Sequence, residues 1–287
     1  MNLLYYGDSF VQFMKTFAGR KRLKQKATLV FRDDRDRPRI FCDEPVIVAR
    51  FASEVRQQAV RRLCSDARVL MRGQTDNYPG MVPAIFRRPN DAIDHGVLLK
   101  AEKNFAAAVA TELRNNRRFA RDDLAALLQH YGYKTTWLDV VDNLWTAVWF
   151  ATHSIRPKCA ESKKPSGWIY FLVCEAAGSG CRCIDLRLAH HGLSVRVHTQ
   201  HGWSLRAVDE DLCDDLNRWV VACVEFPIDR RWWQGCGYML SPAFLFPPAS
   251  LDHTLQLLVE KKVDGVAKSV EGMERPKMSL GRLFPHR

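Results

Sequence analysis

Apolar residues recur at helical spacing through much of the first half of the chain. Between Pro45 and Cys64, Val48, Phe51 and Val55 trace one face while arginines occupy much of the rest, which predicts an amphipathic helix. The same reasoning predicts further helices over 97–114, 121–131, 142–154 and 251–261.

Two of these helices carry boundary signals. Asp122 and Asp123 place negative charge in the first turn of the helix that ends before Gly132, where both an acidic start and a glycine after the end are favourable. Asp142 is the predicted N-cap of the next helix. Because that helix is apolar on every side, we expect it to be buried.

Runs of β-prone residues predict the strands, which cover 27–31, 68–71, 168–173 and 219–226. The segment 195–205 alternates loosely and predicts one or two short strands. If it is extended, Arg196, His198 and Gln200 share one face, because side chains alternate with a period of two. Helices first and strands later, without regular βαβ alternation, predict an α+β fold in which a helical N-terminal half packs on a mixed or antiparallel sheet.

No internal repeat and no interior linker divides the sequence. We therefore predict one globule with three consecutive parts. A basic N-terminal arm and helix occupy residues 1–65, a central domain occupies 66–250, and a C-terminal helix with a polar tail occupies 251–287.

Composition places the chain among ordinary globular proteins. Of its 287 residues, 47% are hydrophobic and 26% charged, which excludes collagen, coiled coils and wholesale disorder. No apolar run approaches the roughly 18 residues that cross a bilayer, and the N-terminus lacks the pattern of a secretory signal. Nine cysteines, an odd number in a chain of this size, favour a reducing cytoplasm. Cys174, Cys181 and Cys183 with His190 and His191 are candidates for a thiolate–imidazole metal site, but their spacing matches no recognised zinc motif, so buried or incidental thiols are favoured.

The net charge of +11 predicts an anionic partner, and the sequence concentrates basic residues between Gly19 and Arg39. The residues expected to contact nucleic acid are Arg20, Lys21, Arg22, Lys24 and Lys26. A solvated structural arm is the alternative, because runs of charge are commonly exposed for solubility alone.

Three polar segments depart from the pattern of a plain globular chain. In Met71–Gln74, an arginine directly before a glycine can present its guanidinium where backbone must come close, or it can form a turn paired with an acid. His130, at the end of a predicted helix, can carry protons near neutral pH or stabilise the helix dipole. Asp139, between apolar neighbours, is a candidate for either function or structure.

The third segment is Arg196–Trp203. An arginine and the amide of Gln200 on one edge of a strand suit recognition of phosphate, ribose or a carboxamide. A polar edge strand that faces water explains the same pattern without a ligand.

Taken together, the three segments resemble the FRG domain, a mostly bacterial family named for its first motif, (Phe/Tyr)-Arg-Gly. The resemblance spans about 66–247, and Gln129-His130-Tyr131-Gly132 is its most specific part. Its other residues are Arg72-Gly73-Gln74, Pro83, Phe86-Arg87, Thr135, Leu138-Asp139, Ala147, Phe150-Ala151, the strand at 168–173, Arg196, Gln200 and Gly202-Trp203. The chain departs from the family at three positions, where Met71 replaces an aromatic residue, Lys134 a proline and Thr136 an arginine.

The motif order of this family is similar to that of ADP-ribosyltransferases, which implies a related fold, NAD as the cofactor, and a role in toxin or phage-defence systems. The residues implied to be catalytic are Arg72, His130, Asp139 and Gln200. Those implied to bind NAD are Arg72, Gly73, Gln74, Gln129, Tyr131, Thr135 and Arg196. Because a glutamine carries no charge and cannot act as a base, Asp139 or His130 would have to supply the polarity that Gln200 lacks.

Two functions therefore stand as hypotheses. The first is an ADP-ribosyltransferase-like enzyme that modifies an anionic macromolecule, either a nucleic acid or a protein, and that a partner protein of a defence system keeps inhibited. The second is a nucleic-acid-binding module without catalysis, in which the basic arm carries the function and the FRG-like residues form a scaffold.

Overall fold

The computed structural model describes residues 4–20, 27–30, 39–63, 65–78, 80–87, 95–112, 123–153, 166–174, 180–189, 194–212, 214–228 and 240–263. Its helices are Leu4–Ala18 (α1), Pro45–Arg62 (α2), His95–Glu112 (α3), Leu124–His130 (α4), Leu144–Thr152 (α5), Leu186–Ala189 (α6), Val195–Thr199 (α7), Pro242–Leu245 (α8) and His253–Glu260 (α9). Its strands are Ala27–Val30 (β1), Arg39–Cys42 (β2), Arg68–Gln74 (β3), Leu138–Val141 (β4), Ser166–Cys174 (β5), Cys181–Asp185 (β6), Gly202–Ala207 (β7) and Val220–Pro227 (β8). Short 3₁₀ turns cover Ala84–Phe86, Glu210–Leu212 and Leu216–Trp219.

The chain divides into two compact units, each assembled from separate segments. The first unit contains residues 1–79, 141–179 and 217–241, and the second contains 80–140, 180–216 and 242–287. The motif segments are therefore divided between the two units: Arg72 belongs to the first, and His130, Asp139 and Gln200 belong to the second.

The first unit is a mixed sheet with helices on one face. Its strand order is β1-β2-β8-β5-β3, in which β2 and β8 are parallel and the other neighbours are antiparallel. The apolar face of α2 packs on this sheet together with α1 and α5, and the ring of Phe51 lies 5.6 Å from that of Phe171 on β5. The predicted helical face of Val48, Phe51 and Val55 is confirmed, because all three are fully buried.

The second unit places its helices around a smaller group of strands. Its strand order is β4-β7-β6, and β6 pairs antiparallel with β7 from Cys181–Ala207 to Asp185–Trp203. The buried sides of α3, α4 and α9 form its core, in which Phe105 and Tyr133 have ring centroids 5.3 Å apart.

The predicted α+β fold is confirmed, and so are the helices and strands read from apolar spacing. Two local predictions are wrong. Residues 195–199 form the helix α7 and not a strand, because the Asp252 carboxylate accepts a hydrogen bond from the Arg196 backbone N–H at 2.8 Å and holds the first turn. The N-cap of α5 is Asn143 and not Asp142, because the Asn143 side chain accepts from the N–H groups of residues 145 and 146.

Within the described ranges, no helix combines the length and the apolar character that a bilayer span requires.

Candidate active site

The centre of the most specific motif is the C-terminus of α4. The backbone N–H of Tyr133 donates to the carbonyl of Leu128 at 3.1 Å, and that of Gly132 donates to Gln129 at 2.9 Å, which together make a Schellman turn. Gly132 has φ +92°, a left-handed conformation that glycine adopts without a steric penalty. The turn therefore ends the helix directly after His130 and fixes the direction of its side chain.

The ring of His130 is buried and surrounded by oxygen atoms. Its Nδ1 lies 3.3 Å from Gln200 Oε1, and its Nε2 lies 3.3 Å from both the Trp203 carbonyl and Asp139 Oδ1. A Cβ on Gly202 would stand 2.8 Å from the ring's Cε1, so this glycine provides the space that the ring occupies. Each ring nitrogen thus has an oxygen acceptor for a proton.

Asp139 is the part of this network that reaches solvent. Its side chain is 32% exposed, whereas that of His130 is 2% exposed. Gln129 Nε2 donates to the other carboxylate oxygen, Asp139 Oδ2, at 3.3 Å. Gln129 is itself oriented, because its Oε1 accepts from the Thr135 hydroxyl at 2.9 Å and from the Thr135 backbone N–H at 3.2 Å. The carboxylate is therefore held by the buried His130 and the half-buried Gln129, and part of its side chain remains exposed to solvent.

Gln200 is buried and, unlike Asp139, does not reach solvent. The residue is 3% exposed, and its Nε2 donates to the Leu245 carbonyl at 2.7 Å. That bond turns the Oε1 atom toward His130. Gln200 consequently orients the imidazole ring and has no exposed amide with which to contact a ligand.

Tyr131 and Arg196 form an interior anchor beside the same turn. The Tyr131 hydroxyl donates to both oxygens of Asp252, at 2.8 and 2.9 Å, and the guanidinium of Arg196 lies 4.8 Å from the centre of the Tyr131 ring. Arg196 also donates to the His130 carbonyl at 3.2 Å. Burial, and secondarily the charge of Asp252, raise the pKa of Tyr131. Tyr131 and Arg196 are at most 2% exposed, so they position His130 through buried contacts.

Glu102 is a buried carboxylate that the sequence analysis missed. One of its oxygens accepts from the Thr136 backbone N–H and the other from the Thr136 hydroxyl at 3.0 Å, so Glu102 holds the turn that precedes Asp139. Burial raises its pKa. A sequence signal existed, because Glu102 falls on the same helical face as the buried Leu98, Phe105 and Val109.

The segment Arg72–Gln74, which matches the motif after which the FRG family is named, lies in the first unit. Arg72 and Gln74 are paired in register with Tyr170 and Trp168 of β5, on the sheet face opposite the apolar core. Gln74 is 7% exposed, and its Oε1 has no hydrogen-bond partner in the described part of the chain. A Cβ on Gly73 would lie 1.8 Å from the Ala147 carbonyl oxygen, so this glycine allows α5 to pack directly on β3.

The basic arm lies largely outside the described residues, which include Arg20 but not Lys21, Arg22, Lys24 or Lys26. Arg20 donates to Glu54 at 2.6 Å. Although partial burial acts to raise it, the pKa of Glu54 is lowered by its hydrogen bonds with Arg20 and Arg50. Arg20 is therefore engaged in an ion pair of its own unit.

In the described part of the chain, no three histidine, cysteine or acidic side chains are grouped closely enough to hold a metal ion. The five described cysteines, which are Cys42, Cys174, Cys181, Cys183 and Cys223, are all free thiols.

Of the residues expected at the site, the second unit brings together His130, Asp139, Gln200, Gln129 and Thr135, while Arg72, Gly73 and Gln74 lie in the first unit. The family model of the FRG domain matches residues 67–159, a range that contains Arg72, His130 and Asp139. The chain thus carries an FRG domain over 67–159, and the predicted resemblance is confirmed for the motifs in that range. The match does not include the strand at 168–173, Arg196, Gln200 or Gly202-Trp203. No curated protein and no solved structure matches the chain.

Proposed function

We propose that this FRG-domain protein is an ADP-ribosyltransferase-like enzyme of the cytoplasm that uses NAD to modify an anionic macromolecule in a toxin or phage-defence system. The observation that supports the proposal is the carboxylate of Asp139, which is partly exposed and held from behind by Gln129 and His130. A fixed carboxylate at the surface of a buried polar network is suited to stabilising positive charge that develops during a reaction.

The chemistry requires such a group. When ADP-ribose is transferred, the bond between the ribose C1′ and the nicotinamide nitrogen breaks, and its electron pair leaves with nicotinamide. Positive charge then develops on the ribose, and Asp139 would stabilise it electrostatically. A lone pair of the acceptor forms the new bond to C1′, and the acceptor's proton passes to Asp139 or to water.

His130 and Gln200 act as positioning residues in this proposal. Gln200 is an amide and carries no charge, and both ends of its side chain are engaged, one by His130 and the other by the Leu245 carbonyl. The departure from an acidic residue at this position is therefore consistent with catalysis at Asp139. Thr135 contributes indirectly, since it orients Gln129.

The test is release of nicotinamide from NAD, and transfer of labelled ADP-ribose to RNA, DNA and protein acceptors. We expect Asp139→Asn to lower the rate by about 100-fold or more, because the change removes the charge and keeps the shape. Asp142→Asn is the matched control, a half-buried acid three residues further along the chain. It should retain the wild-type rate.

Absence of both NAD binding and nicotinamide release in the wild-type protein would refute the proposal. If the wild-type protein is active and Asp139→Asn retains full activity, Asp139 is not the catalytic carboxylate and the reaction takes place at another site. Arg72→Ala separately tests the prediction that Arg72 binds NAD, and we expect it to raise the Kd for NAD.

A further inference from the structure

Two arginines face each other across the β6–β7 hairpin of the second unit. Arg182 on β6 and Arg206 on β7 are direct partners in the antiparallel register, so both side chains lie on the same face of the pair. Both guanidinium groups lie over the indole of Trp137, at 5.8 and 5.0 Å from the ring centre. Like charges directly opposite each other destabilise a strand pair unless negative charge compensates them.

Two carboxylates, Asp123 and Glu102, accompany this pair. Arg182 donates to Asp123 Oδ1 at 2.8 Å. The charge of Arg206 acts on Glu102, and both oxygens of that carboxylate accept hydrogen bonds from Thr136. Burial raises the pKa of Glu102 even though its hydrogen bonds with Thr136 and the charges of Arg206 and Lys103 act to lower it.

Two buried donor atoms of this cluster lack a hydrogen-bond acceptor in the described part of the chain. Within the described residues, Arg206 Nε has no hydrogen-bond acceptor, and neither has the Nε1 of Trp137, a side chain that is 1% exposed. A buried donor without an acceptor costs free energy. Donors that lie beside two guanidinium groups are suited to an anion, because an anion accepts hydrogen bonds and compensates the positive charge. Arg182 keeps 42% of its side chain exposed, so an anion can approach from solvent.

We propose that Arg182 and Arg206 together bind a phosphate group, which bridges the two guanidinium groups over Trp137. Directly opposite residues of an antiparallel pair have Cβ atoms roughly 5 Å apart, which lets two arginines reach oxygens of one phosphate. Trp137 is too deeply buried to stack on a base, so this site reads phosphate and not sequence. The phosphate could come from a free nucleotide or from the backbone of a nucleic acid.

The test uses inorganic pyrophosphate and a twelve-nucleotide oligothymidylate as probes, with no NAD present, so that its outcome is independent of the proposed enzyme activity. We expect the full-length protein to bind pyrophosphate in calorimetry, and Arg206→Gln to weaken that binding at least tenfold. Arg206→Lys should recover only part of it, because a lysine keeps the charge but not the bidentate geometry. The matched control is Arg218→Gln, which changes an exposed arginine of the 3₁₀ turn Leu216–Trp219 that lies 5.6 Å from the centre of the Trp219 ring.

The two probes distinguish the sources of the phosphate. Binding of pyrophosphate without the oligonucleotide supports a free nucleotide. Binding of the oligonucleotide with a salt dependence that falls by about one charge in Arg206→Gln supports a nucleic-acid backbone. The proposal is overturned if neither probe binds, or if Arg218→Gln weakens binding as much as Arg206→Gln while all variants keep the wild-type unfolding midpoint.

Discussion

The Arg72–Gln74 segment of the first unit and the Gln129–Asp139 segment of the second both fall within the FRG match, but they are built differently. The first is the C-terminal end of a paired strand, where alternate side chains lie on opposite faces and a glycine allows the backbone of a helix to come close. The second is a helix end and a turn, whose shape depends on side-chain hydrogen bonds. One segment therefore depends on backbone packing and the other on a polar network, so the two should respond differently to mutation.

The largest effect is expected at Gly73. In Gly73→Ala the new Cβ would lie 1.8 Å from Ala147 O and 2.8 Å from Ala151 N, and because both are backbone atoms, α5 and β3 would have to separate. We expect a loss of about 4 kcal/mol or more in the free energy of unfolding, measured by urea denaturation. Gly19→Ala is the control, since its nearest contact would be 3.1 Å, and it should cost less than about 1 kcal/mol.

Gly202→Ala should cost less, about 2 kcal/mol, because the new Cβ meets a side chain and not backbone. The ring of His130 would be displaced and would lose its contacts with Gln200 and Asp139. A double-mutant cycle with His130→Ala checks the cause, since removing the ring should restore part of the lost stability. Strictly additive losses would show that the glycine serves another purpose.

The N-cap of α5 gives a smaller effect in the first unit. Asn143→Ala removes the acceptor for two backbone N–H groups and should lower the free energy of unfolding by about 1 kcal/mol. Asp142→Ala should have a smaller effect on thermal unfolding. The reverse order would restore Asp142 as the cap.

The two units should also differ in the sign of their pH dependence. Burial raises the pKa of Glu102 in the second unit, so its folded form holds a proton that the unfolded chain has released, and stability falls as the pH rises from about 4.5 through the folded pKa. Burial lowers the pKa of His153 in the first unit, so stability falls as the pH drops below about 6.5. Unfolding midpoints measured against pH should therefore flatten on the alkaline side in Glu102→Gln and on the acidic side in His153→Phe. A variant with the wild-type profile would exclude its group as the cause.

Apolar spacing predicted most of the fold because the pattern of apolar residues lies within each segment and indicates which of its faces becomes buried. The helix at Pro45–Arg62 and the strand at Ser166–Cys174 follow directly from their patterns. The five residues of α7 could not be assigned in this way, since their first turn depends on Asp252, 56 positions away from Arg196. A contact of that range leaves no trace in a local window.

The candidate site divides in the same manner. His130, Asp139 and Gln200 were predicted as chemically suited residues, and the second unit brings them together. Their ranking could not be predicted, because a sequence does not state that Gln200 is buried and Asp139 partly exposed. Arg206 was missed for a related reason, since its significance depends on the residue that lies opposite in the register.

The pairing of distant segments in the first unit has a consequence for how the protein is made. Arg39 pairs with Cys223, and β3 pairs with β5, which begins after the end of the FRG match at residue 159. At a synthesis rate of about 5–20 residues per second, β2 waits roughly ten to forty seconds on the ribosome for its partner β8. Through that interval the nascent chain carries unpaired strand edges, which are prone to aggregation. A fragment cut at the limits of the family match would permanently leave the edge of β3 that pairs with β5 without its partner strand.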